Sequence, residues 1–209
     1  VTTDSPELAA AARSVVRITG NAYSCGQNQS GSGFVVAPGR VVTNAHVIAG
    51  VAEPVVEAPG LGALPGRVVY FDPIDDLAII AVDALTAAPL ERDSNLAAGS
   101  AAVTSGHPFG GPFDLDAAEV ISVGPVNVAD IYGSNPTPRR VYTLASDVQE
   151  GESGGPLLSE SGVLAGVIFA KSATTENIGY ALAMEEVEPV AMLAPSLESA
   201  VSSGACTKG

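Results

Sequence analysis

A chain of 209 residues can bury a sizeable core, and 46% hydrophobic against 15% charged residues excludes a disordered segment. The formal net charge of −14 excludes a surface built to neutralise nucleic-acid phosphates and reads first as a device of solubility. No run of about 18 apolar residues occurs, so no helix of this sequence is expected to cross a membrane.

Ser5-Pro6-Glu7-Leu8 predicts a helix that runs through the following alanines to about Ser14. Ser5 serves as cap, Pro6 takes the first helical position and Glu7 sits at the positive end. Short Val/Ile-rich runs between Gly, Pro, Asn and Asp then predict strands near 15–19, 32–37, 40–43, 54–58, 66–72 and 77–82. Pro38-Gly39 makes the hairpin between the second and third. Six strands suffice to close a small barrel. Residues 84–100 carry few strand signals and read as a linker. A second set of strands follows near 101–105, 117–129, 139–145, 156–159, 163–170 and 178–183. Glu185 to Ser202 predicts a C-terminal helix with Val187, Val190, Met192, Leu193 and Leu197 on its apolar face, Pro189 in its first turn and Pro195 breaking or bending it.

Three short segments carry chemistry: Thr43-Asn44-Ala45-His46-Val47, Asp76-Leu77-Ala78-Ile79-Ile80, and Gly151-Glu152-Ser153-Gly154-Gly155-Pro156. A serine hydroxyl is a poor nucleophile until an imidazole takes its proton, and the imidazole needs a carboxylate to fix its tautomer. His46, Asp76 and Ser153 supply these parts. The backbone amides of Gly151 and Ser153 are the expected donors to an oxyanion, and Gly154 and Gly155 are expected to let a substrate chain approach. Taken alone, the serine segment also reads as a turn between strands; the other two segments favour catalysis. Asp75 competes with Asp76 for the carboxylate role, and strand alternation would send the two to opposite faces.

The order His, Asp, Ser resembles that of trypsin-like serine proteases. Gly31-Ser32-Gly33-Phe34-Val35-Val36 with Val41 to Val47 resembles the first barrel of that family, especially of its HtrA/DegP-type bacterial members. Asp72-Pro73-Ile74-Asp75-Asp76-Leu77-Ala78-Ile79-Ile80 resembles their aspartate segment, Gly106-His107-Pro108-Phe109-Gly110 their Gly-Asn-Pro-Phe-Gly turn, and Asn177-Ile178-Gly179-Tyr180-Ala181 their last strand. The resemblance covers residues 14–190 and is narrowest to mycobacterial acid-resistance serine proteases. It implies an all-β, chymotrypsin-like double β-barrel with short terminal helices. Residues 1–97 would form the N-terminal helix and first barrel with His46 and Asp76, and 98–209 the second barrel with Ser153. It implies an extracytoplasmic serine endopeptidase that works through an acyl-enzyme and serves acid or envelope stress tolerance. A catalytically silent protease-like binding domain is the alternative.

The family pattern puts the aspartate directly before Leu-Ala-Ile-Ile, which selects Asp76. Asp147, six residues before Ser153, falls where such enzymes floor their primary specificity pocket; a solvated or capping aspartate is the alternative. Phe169, Ala170 and Lys171 fall on the edge where substrate would pair as an added antiparallel strand. Phe169 also stands where a Ser or Thr hydroxyl commonly supports the triad aspartate, so either a group such as a backbone amide replaces it or the alignment slips by one. His107 reads as a turn residue. Glu152, in place of the usual Asp before the nucleophile, is expected to be exposed.

Cys25 and Cys206 are too few, and the two histidines too far apart, for a metal site, so no metal or cofactor is expected. The cysteines either close most of the chain in a disulfide, which implies an oxidising compartment such as the periplasm, or stay buried as thiols. Protein or peptide substrates are the expected partners, with no nucleic acid, for a monomer. The chain carries neither an initiating Met nor a secretory leader, so a membrane tether is expected only from segments outside it.

Overall fold

The computed structural model describes residues 3–207. It opens with α1 (Pro6–Ala12), whose Ser5 hydroxyl accepts from the Leu8 amide as the cap reading requires. Seven strands follow: β1 (Val15–Ala22), β2 (Gln27–Ala37), β3 (Arg40–Thr43), β4 (Val55–Ala58), β5 (Gly62–Pro65), β6 (Arg67–Asp72) and β7 (Leu77–Ala81). They form one curled antiparallel sheet in the order β5-β4-β1-β2-β3-β7-β6, so that β5 and β6 lie at its edges. A one-turn helix α2 (Ala45–Ile48) interrupts this half directly after β3. The second half is a closed antiparallel barrel made from β8 (Ala101–Gly106), β9 (Asp114–Val128), β10 (Thr137–Ala145), β11 (Pro156–Leu158), β12 (Leu164–Lys171) and β13 (Ile178–Ala183), in the order β10-β13-β12-β11-β8-β9. The fold is mostly β, two curled sheets of the chymotrypsin-like kind.

Strand parity explains how the halves are joined. Along β2, Phe34 and Val36 face a core shared with Val103, Leu158, Val167 and Leu182 of the barrel, while Val35 faces a core interior to the first sheet. β3 and β7 repeat this, with Val42 and Ile79 toward the shared core and Val41 and Ile80 inward. The barrel has its own core around Tyr142, Leu144 and Leu157. The connecting segment is pinned along its length. Leu90 N donates to Val35 O, Leu164 N to Glu91 O, and Asn95 and Leu96 bond the fully buried Tyr142 hydroxyl.

The C-terminal helix differs from expectation. α3 (Met184–Leu193) begins one residue early and ends nine early, passing into a 3₁₀ turn at Ala194–Ser196 that holds Pro195. Pro189 sits at its sixth position, not in its first turn. Val187 and Val190 are buried as the periodicity requires, but Met192 and Leu193 are 69% and 47% exposed. Beyond the helix, Ala194 of the 3₁₀ turn and Leu197 still pack against the shared core. Arg40, buried, donates through Nε to Leu197 O and holds the chain where it leaves. Cys25 and Cys206 form a disulfide, Cα atoms 6.5 Å apart, that ties the last residues beside the turn following α2, where Gly50 N donates to Ser203 O.

Candidate active site

His46 lies on α2, two residues past the Asn44 cap position. The Asn44 side-chain amide donates to the Asp76 carbonyl at 2.9 Å. Asp76 closes the turn before β7 with a left-handed φ of 56°, a conformation that a non-glycine residue keeps only when its surroundings hold it. Its Oδ1 accepts from the His46 backbone amide at 2.9 Å and its Oδ2 lies 2.7 Å from His46 Nδ1. The carboxylate fixes Nδ1 as the protonated nitrogen and leaves Nε2 as base. The Asp76 side chain is 8% exposed and that of His46 32%, so the imidazole has one open edge. Burial lowers the His46 pKa, but the Asp76 charge and hydrogen bond outweigh it, and the net shift is upward from the ordinary value.

The backbone amide of His46 thus supports the Asp76 carboxylate, while Phe169 offers it no hydroxyl. Asp75 is separated from Asp76 by the turn, not by strand pleat, since β7 begins only at Leu77. It points away from His46, toward Glu186 and Arg139.

Ser153 is half-buried in the loop between β10 and β11. Its hydroxyl donates to the Phe169 carbonyl at 3.4 Å and not to His46. Such contacts are often loose before substrate binds. The loop is laced on both sides. Gly154 N donates to Ile168 O and Ile168 N to Gly155 O, fixing it on β12, while Ser32 N donates to Ser153 O at 2.9 Å and fixes it on β2 of the other half. A Cβ on Gly154 would lie 2.1 Å from Ser32 O and 2.4 Å from Thr43 Oγ1, and one on Gly155 would lie 2.0 Å from Ser105 O. These two glycines are thus required by the protein's own backbone, not by an approaching substrate. The Gly154 contact also sets the serine loop directly against the Thr43-Asn44 segment that leads to His46.

Gly151 has φ 92°, and a side chain there would strike the 107–110 turn. The amides of Glu152, Gly154 and Gly155 each reach a carbonyl, whereas those of Gly151 and Ser153 donate to no acceptor among the described residues. Ser32, missed by the sequence reading, organises this spot. Its Oγ donates to Gly151 O and accepts from His107 N, both at 2.8 Å, and Thr43 Oγ1 donates to Ser32 O. The available signal was parity: Ser32 occupies the same face of β2 as Phe34 and Val36, the face turned to the other half.

Glu152 contradicts the expectation of exposure: it is completely buried. Its Oε2 accepts from the Gln149 amide at 2.5 Å, which folds the side chain under the loop, and Oε1 has no partner among the described residues. Burial pushes its pKa up to about 7, opposed by the Gln149 amide and reinforced by Asp116, Asp114 and Asp147.

The β11 ladder covers β12 only as far as Pro156↔Val167; beyond it Ala170 and Lys171 pair with β13, Phe169 lies at the bulge between Ile168 and Ala170, and the other side of 169–171 is an edge with no strand beside it among the described residues. Asp147 is exposed and lines a cavity of about 420 Å³ with Ser146, Val148, Lys171 and Glu176, which Ser153 does not line. His107 sits in its turn with Nδ1 3.0 Å from Gly111 O and its ring edge-on to Phe113.

Residues 31–167 match the trypsin-like peptidase domain. Serine protease Rv3671c of Mycobacterium tuberculosis is 39% identical over 186 residues, 88% of this chain and 47% of that protein. Putative serine protease HhoA of Synechocystis is 30% identical over 167 residues, 77% of this chain and 41% of that protein. The chain thus spans about half the length of these curated relatives. The crystal structure of the Rv3671c protease in its active form superposes with a TM-score of 0.93 at 36% identity, covering 97% of this chain and 89% of that one. Its inactive form gives 0.78, covering 93% of each. The HtrA-type protease AlgW with tripeptide shares the fold, with a TM-score of 0.78 at 21% identity over 90% of this chain and 62% of that one.

Proposed function

The chain belongs to the trypsin-like peptidase family, and we propose that it is an extracytoplasmic serine endopeptidase in which His46, Asp76 and Ser153 act as the triad. The observation that carries this reading is the His46–Asp76 pair, aligned through both a backbone and a ring hydrogen bond, beside a serine loop that keeps two amides unused. Ser153 Oγ attacks the scissile carbonyl carbon as His46 Nε2 takes its proton. The carbonyl electrons move onto oxygen, and the Gly151 and Ser153 amides bind that oxyanion. Collapse expels the amine, which receives the proton from His46, and leaves an acyl-enzyme. Water, deprotonated by the same imidazole, releases the acid and restores Ser153. The free edge at 169–171 receives the peptide as an added strand. The first sheet with α1 and the barrel with α3 serve as two units, each contributing part of the site.

The extracytoplasmic location is supported by the Cys25–Cys206 disulfide and by relatives such as a probable periplasmic DegP-like endoprotease of Pseudomonas fluorescens, 31% identical over 163 residues.

The test is labelling with a fluorophosphonate probe together with peptide turnover. Covalent modification is expected at Ser153 and is lost in Ser153→Ala, which cuts turnover by roughly 10⁴-fold or more while the fold survives. An unlabelled wild type, or near-native turnover by Ser153→Ala, overturns the assignment.

A further inference from the structure

The aspartate preceding Asp76 belongs to a charged cluster between the halves. Half-buried Asp75 faces Glu186 from α3, Arg139 from β10, and Asp72 of its own turn, and it lies near Tyr70 of β6. Glu186 is within hydrogen-bonding reach of Asp75, and its Oε1 accepts from the Arg140 amide at 2.9 Å. The Arg140 guanidinium itself pairs with Glu185. Arg139 is buried. Its Nη2 donates to the Val128 and Ala129 carbonyls, while its Nε and Nη1, like the buried Oδ1 of Asp75, have no hydrogen-bond donor or acceptor partner among the described residues. The Arg139 charge also acts on Asp130. A backbone bond from Ile131 N to Pro73 O, 3.0 Å, ties the same turn to the barrel.

Two ionised carboxylates cannot share a hydrogen bond; one must keep a proton. We propose that Asp75 is a positioning residue for Asp76, its carboxyl clasped to Glu186 by one shared proton so that the 72–76 turn docks on α3 and holds the Asp76 carboxylate on His46. This rests on the reading of Asp76 as the partner of the catalytic histidine.

The turn is stiff enough to transmit the clasp. Asp72 Oδ1 accepts from the amides of both Ile74 and Asp75, at 2.9 and 3.1 Å, so a shift at Asp75 moves the peptide leading into Asp76. When the proton leaves to solvent, Asp75 and Glu186 repel. Arg139, with two unpartnered nitrogens, is the cation toward which Asp75 then turns. Asp76, held at its left-handed φ by its surroundings, loses that support. Burial raises the Asp75 pKa to about 8, helped by Glu186 and Asp72 and opposed by Arg139, so the clasp opens just above neutral pH.

The test is the pH profile of kcat/KM for a fluorogenic peptide, with kcat and KM resolved, in wild type, Asp75→Asn, Glu186→Gln and Asp76→Asn. A single proton with a pKa near 8 makes the wild type lose about tenfold between pH 7 and pH 9, in kcat. Asp75→Asn and Glu186→Gln replace the shared proton with an amide donor. They keep activity near pH 7 and stay within about twofold up to pH 9. A wild type flat to pH 9, or an alkaline limb unchanged in both variants, overturns the proposal. If Asp75→Asn does not fold, Glu186→Gln probes the same pair from the other side. Asp76→Asn separates the two readings, because it loses roughly 10⁴-fold at every pH if Asp76 orients His46. If it stays active, the triad assignment fails whatever the alkaline limb does.

Discussion

Ser32→Ala tests how the proposed oxyanion site is built. The hydroxyl donates to Gly151 O and accepts from His107 N at 2.8 Å each, so it fixes the orientation of the peptide that follows Gly151 and braces the loop against the 107–111 turn. Removing it leaves one carbonyl and one amide without a partner. A buried orphan costs about 1–3 kcal/mol, but Gly151 and His107 are only half-buried and water can reach them, so a total near 2 kcal/mol is expected. At roughly 2–4 °C per kcal/mol for a chain of this size, the unfolding midpoint falls by about 4–8 °C. The catalytic effect is separate. A hydrogen bond worth about 1.4 kcal/mol biases the loop roughly tenfold toward the competent arrangement, and complete loss of one oxyanion donor costs about 100- to 1,000-fold. Turnover is therefore expected to fall between about 10- and 100-fold, in kcat, with KM nearly unchanged. A peptide boronate, whose tetrahedral adduct fills the oxyanion site, should weaken in parallel with kcat. Ser32 N, which donates to Ser153 O, is untouched by the change and keeps the nucleophile in place. If Ser32→Ala loses stability but keeps turnover and boronate affinity within about twofold, Ser32 is a packing residue and the reasoning is wrong.

The acid limb of kcat/KM should have a midpoint above the ordinary histidine value near 6.5, since the Asp76 pairing outweighs burial at His46 and only the neutral imidazole is a base; a profile flat from pH 8 to pH 4 contradicts this. Stability should run the opposite way. Asp75 near 8, Glu152 near 7 and Asp116 near 6 hold protons in the folded chain at pH values where the unfolded chain has released them, and a raised His46 has the same sign. The stabilisation is complete below the unfolded carboxylate pKa near 4 and is lost as pH rises through those folded values, so calorimetry should give a higher midpoint at pH 5 than at pH 8, with a shallower slope in Glu152→Gln; the reverse order refutes it. Reduction of Cys25–Cys206, which spans 181 positions, should remove up to about 5 kcal/mol and lower the midpoint by on the order of 10 °C, while activity measured well below the midpoint falls less; an unchanged midpoint would show that the loop is already restrained without the bond.

Most strands were legible because their signal is local. The β2–β3 hairpin follows from Pro38-Gly39, and Gly39 indeed takes φ 64°. What escaped was either too short or decided from far away. β5, Gly62–Pro65, is a largely exposed edge strand paired only with β4; with glycine at one end and proline at the other it has neither alternation nor β-branched residues to mark it. α2 is a single turn, shorter than any helical period. α3 was overextended because apolar spacing continues in sequence past Leu193: Ala194 and Leu197 still pack on the core, but from a 3₁₀ turn that holds Pro195 and from the extended chain after it.

The site divides along the same line. The proposed nucleophile, base and carboxylate are marked by residue type and spacing, because the chemistry dictates those types wherever they occur. Their supports are ordinary residues whose roles come from the other half of the molecule. The contacts of Ser32 with Gly151, His107 and Ser153 lie 75 to 121 positions away along the chain, and the Asp75–Glu186 pair is separated by 111. Glu152 makes the point most sharply. Before a nucleophile, a lone carboxylate with no cation nearby in sequence reads as solvated, since burying it costs more than one hydrogen bond returns. The fold lowers that cost in two ways, with the Gln149 amide on one oxygen and a proton held to about pH 7, so the buried group is largely neutral in the range where burial is cheapest. The first is local, three residues away in the serine loop; the second comes mainly from burial and is reinforced by Asp114 and Asp116 of β9 and by Asp147, a convergence that no spacing rule in the chain encodes.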